Sequence, residues 1–328
     1  NLLQRAAEDK RLKGMRISRQ GPNITHLFFA DDSLIFCGAE VQQAEELMNI
    51  LQAYEHASGQ LINLEKSSVI FSKNVPNSKK QEICSKLGGM EEVKQGRYLG
   101  LPMVISRTKE QIFGYIGENI NRRLESWKNK LLSHAGKEVM LKAVTMAMPT
   151  YAMSCFKLPR KLCKDLSSAM ANYWWGEANG KNKMHWVAWK KMAQERKDGG
   201  LGFQDLEAFN KALLGKQIWR IITKPNLLVS KILKAKYFPK ESIFSCKVQG
   251  SASWFWKGLM SVRGVMEEGI LRRIGNGSST KIWEHKWIPQ APNGKPSTPR
   301  PQNCEFDTVQ QLINNKRWNS NVVFRTFN

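Results

Sequence analysis

The sequence has no C-x-x-C and no paired Cys/His spacing; its six cysteines, at 37, 84, 155, 163, 246 and 304, stand far apart. That scatter argues against a disulfide framework and a zinc site, and it suits reduced thiols in a nuclear or cytosolic setting. Long apolar runs are lacking too. The longest, Val144 to Phe156, is broken by Pro149 and is too short to span a bilayer. No charged-then-apolar leader precedes a cleavage site, which argues against secretion. No initiator methionine opens the chain. Asn1 stands in a helix-like run with Leu2, Leu3, Ala6 and Ala7, which predicts a fragment cut inside a structural element. No internal repeat is present.

Acidic residues become scarce beyond residue 120. Residues 1–120 carry 15 basic and 14 acidic side chains, whereas residues 121–290 carry 31 basic and 12 acidic ones; the whole chain has a formal charge of +23. A neutral part joined to a strongly basic one predicts that the second part holds a polyanion. Nucleic acid is favoured, through counterion release along its backbone. An anionic membrane would ask for a polybasic tail or a basic amphipathic helix. Here the cations are instead spread through a Trp-rich region. With 328 residues, 41% of them hydrophobic, the chain has the length for two domains or one large one, with real cores.

The most informative stretch is Ile24 to Cys37. The apolar runs Leu27–Ala30 and Leu34–Cys37 read as buried strands, and Asp31-Asp32 sits where a hairpin would turn. Two adjacent carboxylates repel each other and lose solvation between apolar strands. A bound divalent cation relieves both penalties, and hard carboxylate oxygens suit Mg²⁺. The competing reading is a solvated turn, for which Asp is a common residue.

Downstream, Val41 to Tyr54 recur at helical spacing up to Gly59. A turn and strand follow over 57–71, a short helix over 79–87, and a glycine-interrupted strand pair at Tyr98-Leu99-Gly100-Leu101-Pro102. From about residue 109 the period is helical: Leu124, Trp127 and Leu131; Val139 to Ala147; Leu162 to Trp174; Leu213 to Trp219. Gly199-Gly200-Leu201-Gly202 lacks the context and the Lys-Ser/Thr ending of a phosphate loop, so it reads as a turn. Leu271 to Trp283, with Asn276-Gly277 at its centre, predicts a hairpin. Residues 289–303 have no apolar period and read as a linker, with one helix expected near Val309 to Ile313.

The order Phe29-Ala30-Asp31-Asp32, then Ser58-Gly59-x-x-Ile62-Asn63-x-x-Lys66-Ser67, then Tyr98-Leu99-Gly100-Leu101-Pro102 resembles the second half of a reverse transcriptase. The match is nearest to plant non-LTR (LINE-type) retrotransposon enzymes. Trp174-Trp175-Gly176, Gly199 to Gly202 and Gly275-Asn276-Gly277 with Trp283 and Trp287 resemble the region that follows the polymerase in that family. The resemblance covers residues 1 to about 290. It implies that Asp31 and Asp32 are catalytic and bind Mg²⁺ (Mn²⁺ as its substitute), and that Lys66 donates a proton to the leaving pyrophosphate. It also implies that Tyr98, Leu99, Gly100, Leu101 and Pro102 form a primer grip, with an RNA template and a DNA primer as partners. The implied fold is α+β: the rear half of a palm over 1–105, a basic, mostly helical thumb-like region over 106–288, and a linker with tail over 289–328.

The family's palm uses a further aspartate on an upstream strand. Only 30 residues precede Asp31 here, and Asp9 lies in a helix-like run. The expectation is therefore a polymerase remnant that is inactive alone, with an uncovered sheet edge and helix face. Two alternatives share some of these features: a non-catalytic RNA- or DNA-binding module, with Trp174, Trp175, Trp186, Trp189 and Trp219 as stacking surfaces, and a group II intron maturase. The Tyr98–Pro102 motif and the Trp-rich tail favour the retrotransposon resemblance.

Overall fold

The computed structural model describes residues 2–105, 108–128, 130, 132–178, 181–302 and 304–327. Leu131 and Asn303, both used by the patterning above, lie outside that set. The architecture is α+β, as the patterning predicts: helices carry the apolar cores, and the sheets among the described residues are two-stranded ribbons. Compactness divides the chain into Asn1–Val262 and Arg263–Asn328. The limits at 105 and 288 are those the resemblance implies for a palm, a thumb-like region and a tail, which is a different criterion.

The first unit begins with α1 (Leu2–Glu8), the paired strands β1 (Met15–Arg16) and β2 (Asn23–Ile24), and the ribbon of β3 (His26–Phe29) and β4 (Asp32–Ile35). Helix α2 (Val41–Ser58) buries Ala44, Leu47 and Ile50 and ends at Gly59, where φ is 71° and the N–H reaches the Glu55 carbonyl. A 3₁₀ turn (Leu64–Lys66), β5 (Ser68–Val69), α3 (Asn77–Lys86) and β6 (Glu91–Glu92) follow, with β5 and β6 paired in parallel. The inner faces of α1, α2 and α3 close over one apolar cluster that includes Leu3, Leu47, Ile50 and Ile83. Buried Gln43 pins the chain between α1 and β1 to α2: its Oε1 accepts from the Lys13 N–H at 2.7 Å and its Nε2 donates to the Arg11 carbonyl at 2.8 Å.

A second cluster starts at the ribbon of β7 (Arg97–Tyr98) and β8 (Leu101–Pro102). Helix α4 (Lys109–Lys128) buries Phe113, Ile116, Ile120, Leu124 and Trp127, one stripe at helical spacing, against α7 (Arg160–Trp175). Between them lie α5 (His134–Met140), a π-helical turn over Leu141–Thr145, and α6 (Thr150–Cys155) behind Pro149. After α7 come β9 (Glu177–Ala178), β10 (Lys181–Asn182), α8 (Trp189–Met192), α9 (Leu206–Thr223), α10 (Leu228–Tyr237) and α11 (Trp254–Met260). Asp205 caps α9, its carboxylate accepting from the N–H groups of Glu207 at 2.9 Å and Ala208 at 3.1 Å.

In the second unit, α12 (Arg263–Gly269) leads into a long irregular stretch, then a 3₁₀ turn (Val309–Leu312), the ribbon of β11 (Ile313–Asn314) and β12 (Arg317–Trp318), and α13 (Ser320–Thr326). The expected hairpin over 271–283 does not form. Gly277, at φ 77°, accepts through its carbonyl from Thr280 and from Gln310, both at 3.2 Å, and Lys281 bridges to Thr308. The segment turns outward to pair with 308–310, and there Ile282 is buried in one apolar cluster with Val309 and Leu312. The helix expected near Val309 to Ile313 is a single 3₁₀ turn. Residues 289–302 hold no regular element, in keeping with their composition, yet the Gly294 carbonyl accepts from Trp287 at 2.6 Å and Ile288 at 2.9 Å. Among the described residues no helix is long and apolar enough to cross a membrane.

Candidate nucleic-acid and metal site

The β3–β4 ribbon pairs His26 with Ile35, Leu27 with Leu34, Phe28 with Ser33 and Phe29 with Asp32, leaving Ala30 and Asp31 as a two-residue turn. Such turns favour a first residue at positive φ, where glycine is at ease. Ala30 is held there at φ 52°. For a residue with a Cβ this costs roughly 1–2 kcal/mol, and strain of this kind gathers at functional sites. The ribbon is anchored at its base, where Ile35 joins the first apolar cluster and the Phe36 N–H reaches the Thr25 carbonyl at 2.8 Å. The strands are not buried as their composition predicts, because the ribbon has only two strands and its tip is bare: Phe29 is 62% exposed, and Asp31 and Asp32 are both exposed. Among the described residues no hydrogen bond or ion pair engages either carboxylate side chain.

The chemistry of this pair suits a hard divalent cation, but the number of donors falls short. Among the described residues no group of three or more His, Cys, Asp or Glu side chains is placed to hold a metal. Two neighbouring carboxylates are less than the six oxygen ligands that Mg²⁺ requires, even when waters supply several of them. The ribbon by itself is an incomplete site.

Lys66 closes the 3₁₀ turn that follows α2. Its backbone N–H donates to Asn63 Oδ1 at 3.0 Å, and the side chain is exposed, with no ion pair to Asp31 or Asp32 among the described residues. Tyr98 to Pro102 form a separate ribbon whose turn residues Leu99 and Gly100 have φ of 50° and 76°. Leu101 packs on the second apolar cluster, and the Arg97 guanidinium lies 4.4 Å from the centre of the Tyr115 ring on α4. Burial pushes the Tyr115 phenol up, and the Arg97 charge opposes that shift. The two ribbons thus rest on different clusters, and no hydrogen bond joins the expected site residues across them among the described residues.

The five tryptophans expected to offer stacking surfaces divide. Trp174 is buried, Trp175 and Trp189 are half-buried, and Trp189 stacks on Phe203 with centroids 4.8 Å apart. Only Trp186, 79% exposed, and Trp219, 50% exposed, present a ring to solvent. Several cations nearby are structural. Lys142 donates to Glu138 and to the Leu201 carbonyl, at 2.7 and 2.6 Å, and so fastens the Gly199–Gly202 turn, while Arg196 takes the same Glu138 oxygen at 2.7 Å. These bonds hold the Glu138 carboxyl below its ordinary range. Lys137 donates to the Trp174 carbonyl at 3.2 Å, and burial lowers its ammonium.

A feature that no motif announces lies on α9 and α10. Between Glu207 and Glu241 the chain has eight basic residues and no acidic one. All eight are exposed, and none forms an ion pair among the described residues. The run was legible in the sequence, but averaging over 121–290 hid it.

No protein-family model matches the chain. Over 144 residues, 44% of its length, the chain is 47% identical to an uncharacterized mitochondrial protein of Arabidopsis thaliana and covers 94% of it. Over 220 residues, 65% of its length, it is 30% identical to a putative ribonuclease H protein of Arabidopsis thaliana. It covers 35% of that second relative, so it matches about a third of the longer protein.

Proposed function

The chain belongs to the same family as the uncharacterized mitochondrial protein of Arabidopsis thaliana, and we propose that it is a portion of an RNA-directed DNA polymerase of the non-LTR retrotransposon kind. The observation that carries this reading is the bare tip of the β3–β4 ribbon, where Asp31 and Asp32 stand unpaired beside the strained Ala30. A solvated turn has no need of that strain, since glycine removes it. In the proposed reading the two aspartates supply part of a Mg²⁺ site, Mn²⁺ serving as substitute, and further donors come from outside these 328 residues. A bound pair of such ions supplies charge neutralisation for phosphoryl transfer.

The remaining residues have roles that need no such ion. The ribbon of Tyr98 to Pro102, clamped to α4 through Arg97 and Tyr115, offers backbone and apolar groups to position a primer end. Lys66 carries an exposed, unpaired ammonium suited to donating a proton to a leaving pyrophosphate. RNA template and DNA primer are the proposed partners. The name of the second relative, a putative ribonuclease H protein, is in keeping with a nucleic-acid partner. The free cysteines suit a reducing nuclear or cytoplasmic compartment, and the name of the first relative adds the mitochondrion.

Primer extension on an RNA template tests the reading. The 328 residues alone should incorporate no nucleotide with Mg²⁺. A longer polypeptide that adds an upstream strand bearing a further aspartate should incorporate it, and Asp31→Asn should abolish that activity. Activity that survives Asp31→Asn in the longer polypeptide would overturn the assignment.

A further inference from the structure

We infer that α9 and α10 form a binding face for single-stranded nucleic acid, with Trp219 as the surface on which a base stacks. The inference rests on the nucleic-acid partner proposed above and gives it a location. On α9, Lys216, Trp219, Arg220 and Thr223 recur at three- and four-residue spacing and are all exposed, so they share one face. The opposite face is fixed: Leu214, Ile218 and Ile221 are buried, and Asp205 caps the helix. A ring that is 50% exposed between two cations on a helix held this firmly is presented to solvent by design of the fold. It is not a side chain that failed to find a core.

Charge decides what the face takes. Lys224 follows α9, and Lys231 and Lys234 lie on the exposed side of α10. Some cations of the first unit, among them Lys128, Lys142 and Lys86, are each satisfied by a glutamate at 2.7 Å. Here no carboxylate answers any of them among the described residues. Unanswered like charges repel and destabilise the folded chain, and a polyanion removes that penalty. The exposed ring selects among polyanions. Bases in a duplex are already stacked on each other, whereas an unpaired base is free to lie on an aromatic face flanked by cations.

The test is fluorescence anisotropy of the full chain with labelled single-stranded RNA, single-stranded DNA and duplex DNA across a salt series. The α9 triple variant Lys216→Gln, Arg220→Gln, Lys224→Gln is compared with a control triple of equal charge loss, Lys10→Gln, Lys73→Gln, Lys94→Gln, all at exposed positions. The α9 triple should weaken single-strand binding at least tenfold more than the control. It should also flatten the slope of log K against log salt by about 2, at roughly 0.7 per lost phosphate contact. Trp219→Ala should weaken single-strand binding by about tenfold and leave duplex binding within twofold, and Trp219→Phe should restore most of the loss. Circular dichroism melts of each variant exclude unfolding. Equal effects of the two triples, or tighter binding to phosphatidylserine vesicles than to any single strand, overturn the inference while leaving the polymerase reading standing. Failure of the wild-type chain to bind any nucleic acid overturns both.

Discussion

Phe29 and Asp32 face each other across the β3–β4 ribbon, a 62% exposed aromatic ring on the same face as an unpaired carboxylate. Stability alone gives no reason to expose a phenylalanine beside an acid at the end of a two-stranded ribbon. The turn between them adds a residue with a Cβ at φ 52°. Replacing Ala30 by Gly should therefore raise stability by about 1 kcal/mol, because glycine adopts positive φ freely. Urea unfolding checks it. A loss of stability would show that Ala30 is not strained.

Asn210 performs a structural task that no motif announces. Its Oδ1 accepts from the Leu158 N–H at 2.8 Å, and its Nδ2 donates to the carbonyls of Met153 at 2.7 Å and Phe156 at 2.9 Å. It therefore ties the end of α6 to α9, and so sets the position of the basic face. Asn210→Ala should cost roughly 3 kcal/mol, since buried backbone groups lose their partners. Chemical denaturation measures it, and a cost below about 1 kcal/mol would contradict the staple.

Glu138 gives the fold an acid-sensitive joint. Its carboxyl is held below its ordinary range by hydrogen bonds from Lys142 and Arg196. A depressed carboxylate contributes stability that is present above its unfolded pKa and is lost as pH falls through the folded value. Melting temperature should thus fall below about pH 4.5 more steeply in the wild type than in Glu138→Gln. Parallel acid limbs in the two proteins would rule the joint out.

Cys163 works in the opposite direction. Burial, reinforced by Glu207 and Asp205, pushes its thiol up to about 11 from an ordinary 9.0. The neutral thiol contributes stability that is complete below pH 9.0 and is lost as pH rises toward about 11. Cys163→Ala should be less stable than the wild type at pH 7 and should lose less on going to pH 10.5. Melts at the two pH values decide it.

Gly277 should be intolerant of a side chain. A Cβ there would lie 2.5 Å from the Gln310 nitrogen and 2.8 Å from the Val309 carbonyl carbon, at a φ of 77°. Gly277→Ala should open the second unit to proteolysis while leaving the first intact. Digestion with mapping of the cleavage sites checks this.

Legibility in the sequence followed how local the determinants were. The α2 stripe with Gly59 behind it, the Leu124 and Trp127 end of the α4 stripe and the acidic ribbon all declare themselves through spacing or a single turn, and the structure contains each of them. The 271–283 hairpin does not form because Asn276-Gly277 specifies a turn but not a partner. The partner, residues 308–310, lies beyond the loop that follows and is chosen by burial of Ile282. Helix α13 has no signal in the sequence, since its seven residues bury only Thr326 and show no apolar period. For the tryptophans, composition offered five alike; only packing distinguishes the buried Trp174 from the exposed Trp219.

The most direct test of the central claim is a Mn²⁺ titration of the ¹⁵N-labelled chain followed by amide NMR. Paramagnetic broadening should strike residues 29–33 first, stay weak because two carboxylates alone do not complete a site, and vanish from the ribbon in Asp31→Asn, Asp32→Asn. Broadening that begins at other carboxylates, or that persists at the ribbon in the double variant, would contradict the metal-binding role proposed for the acidic tip.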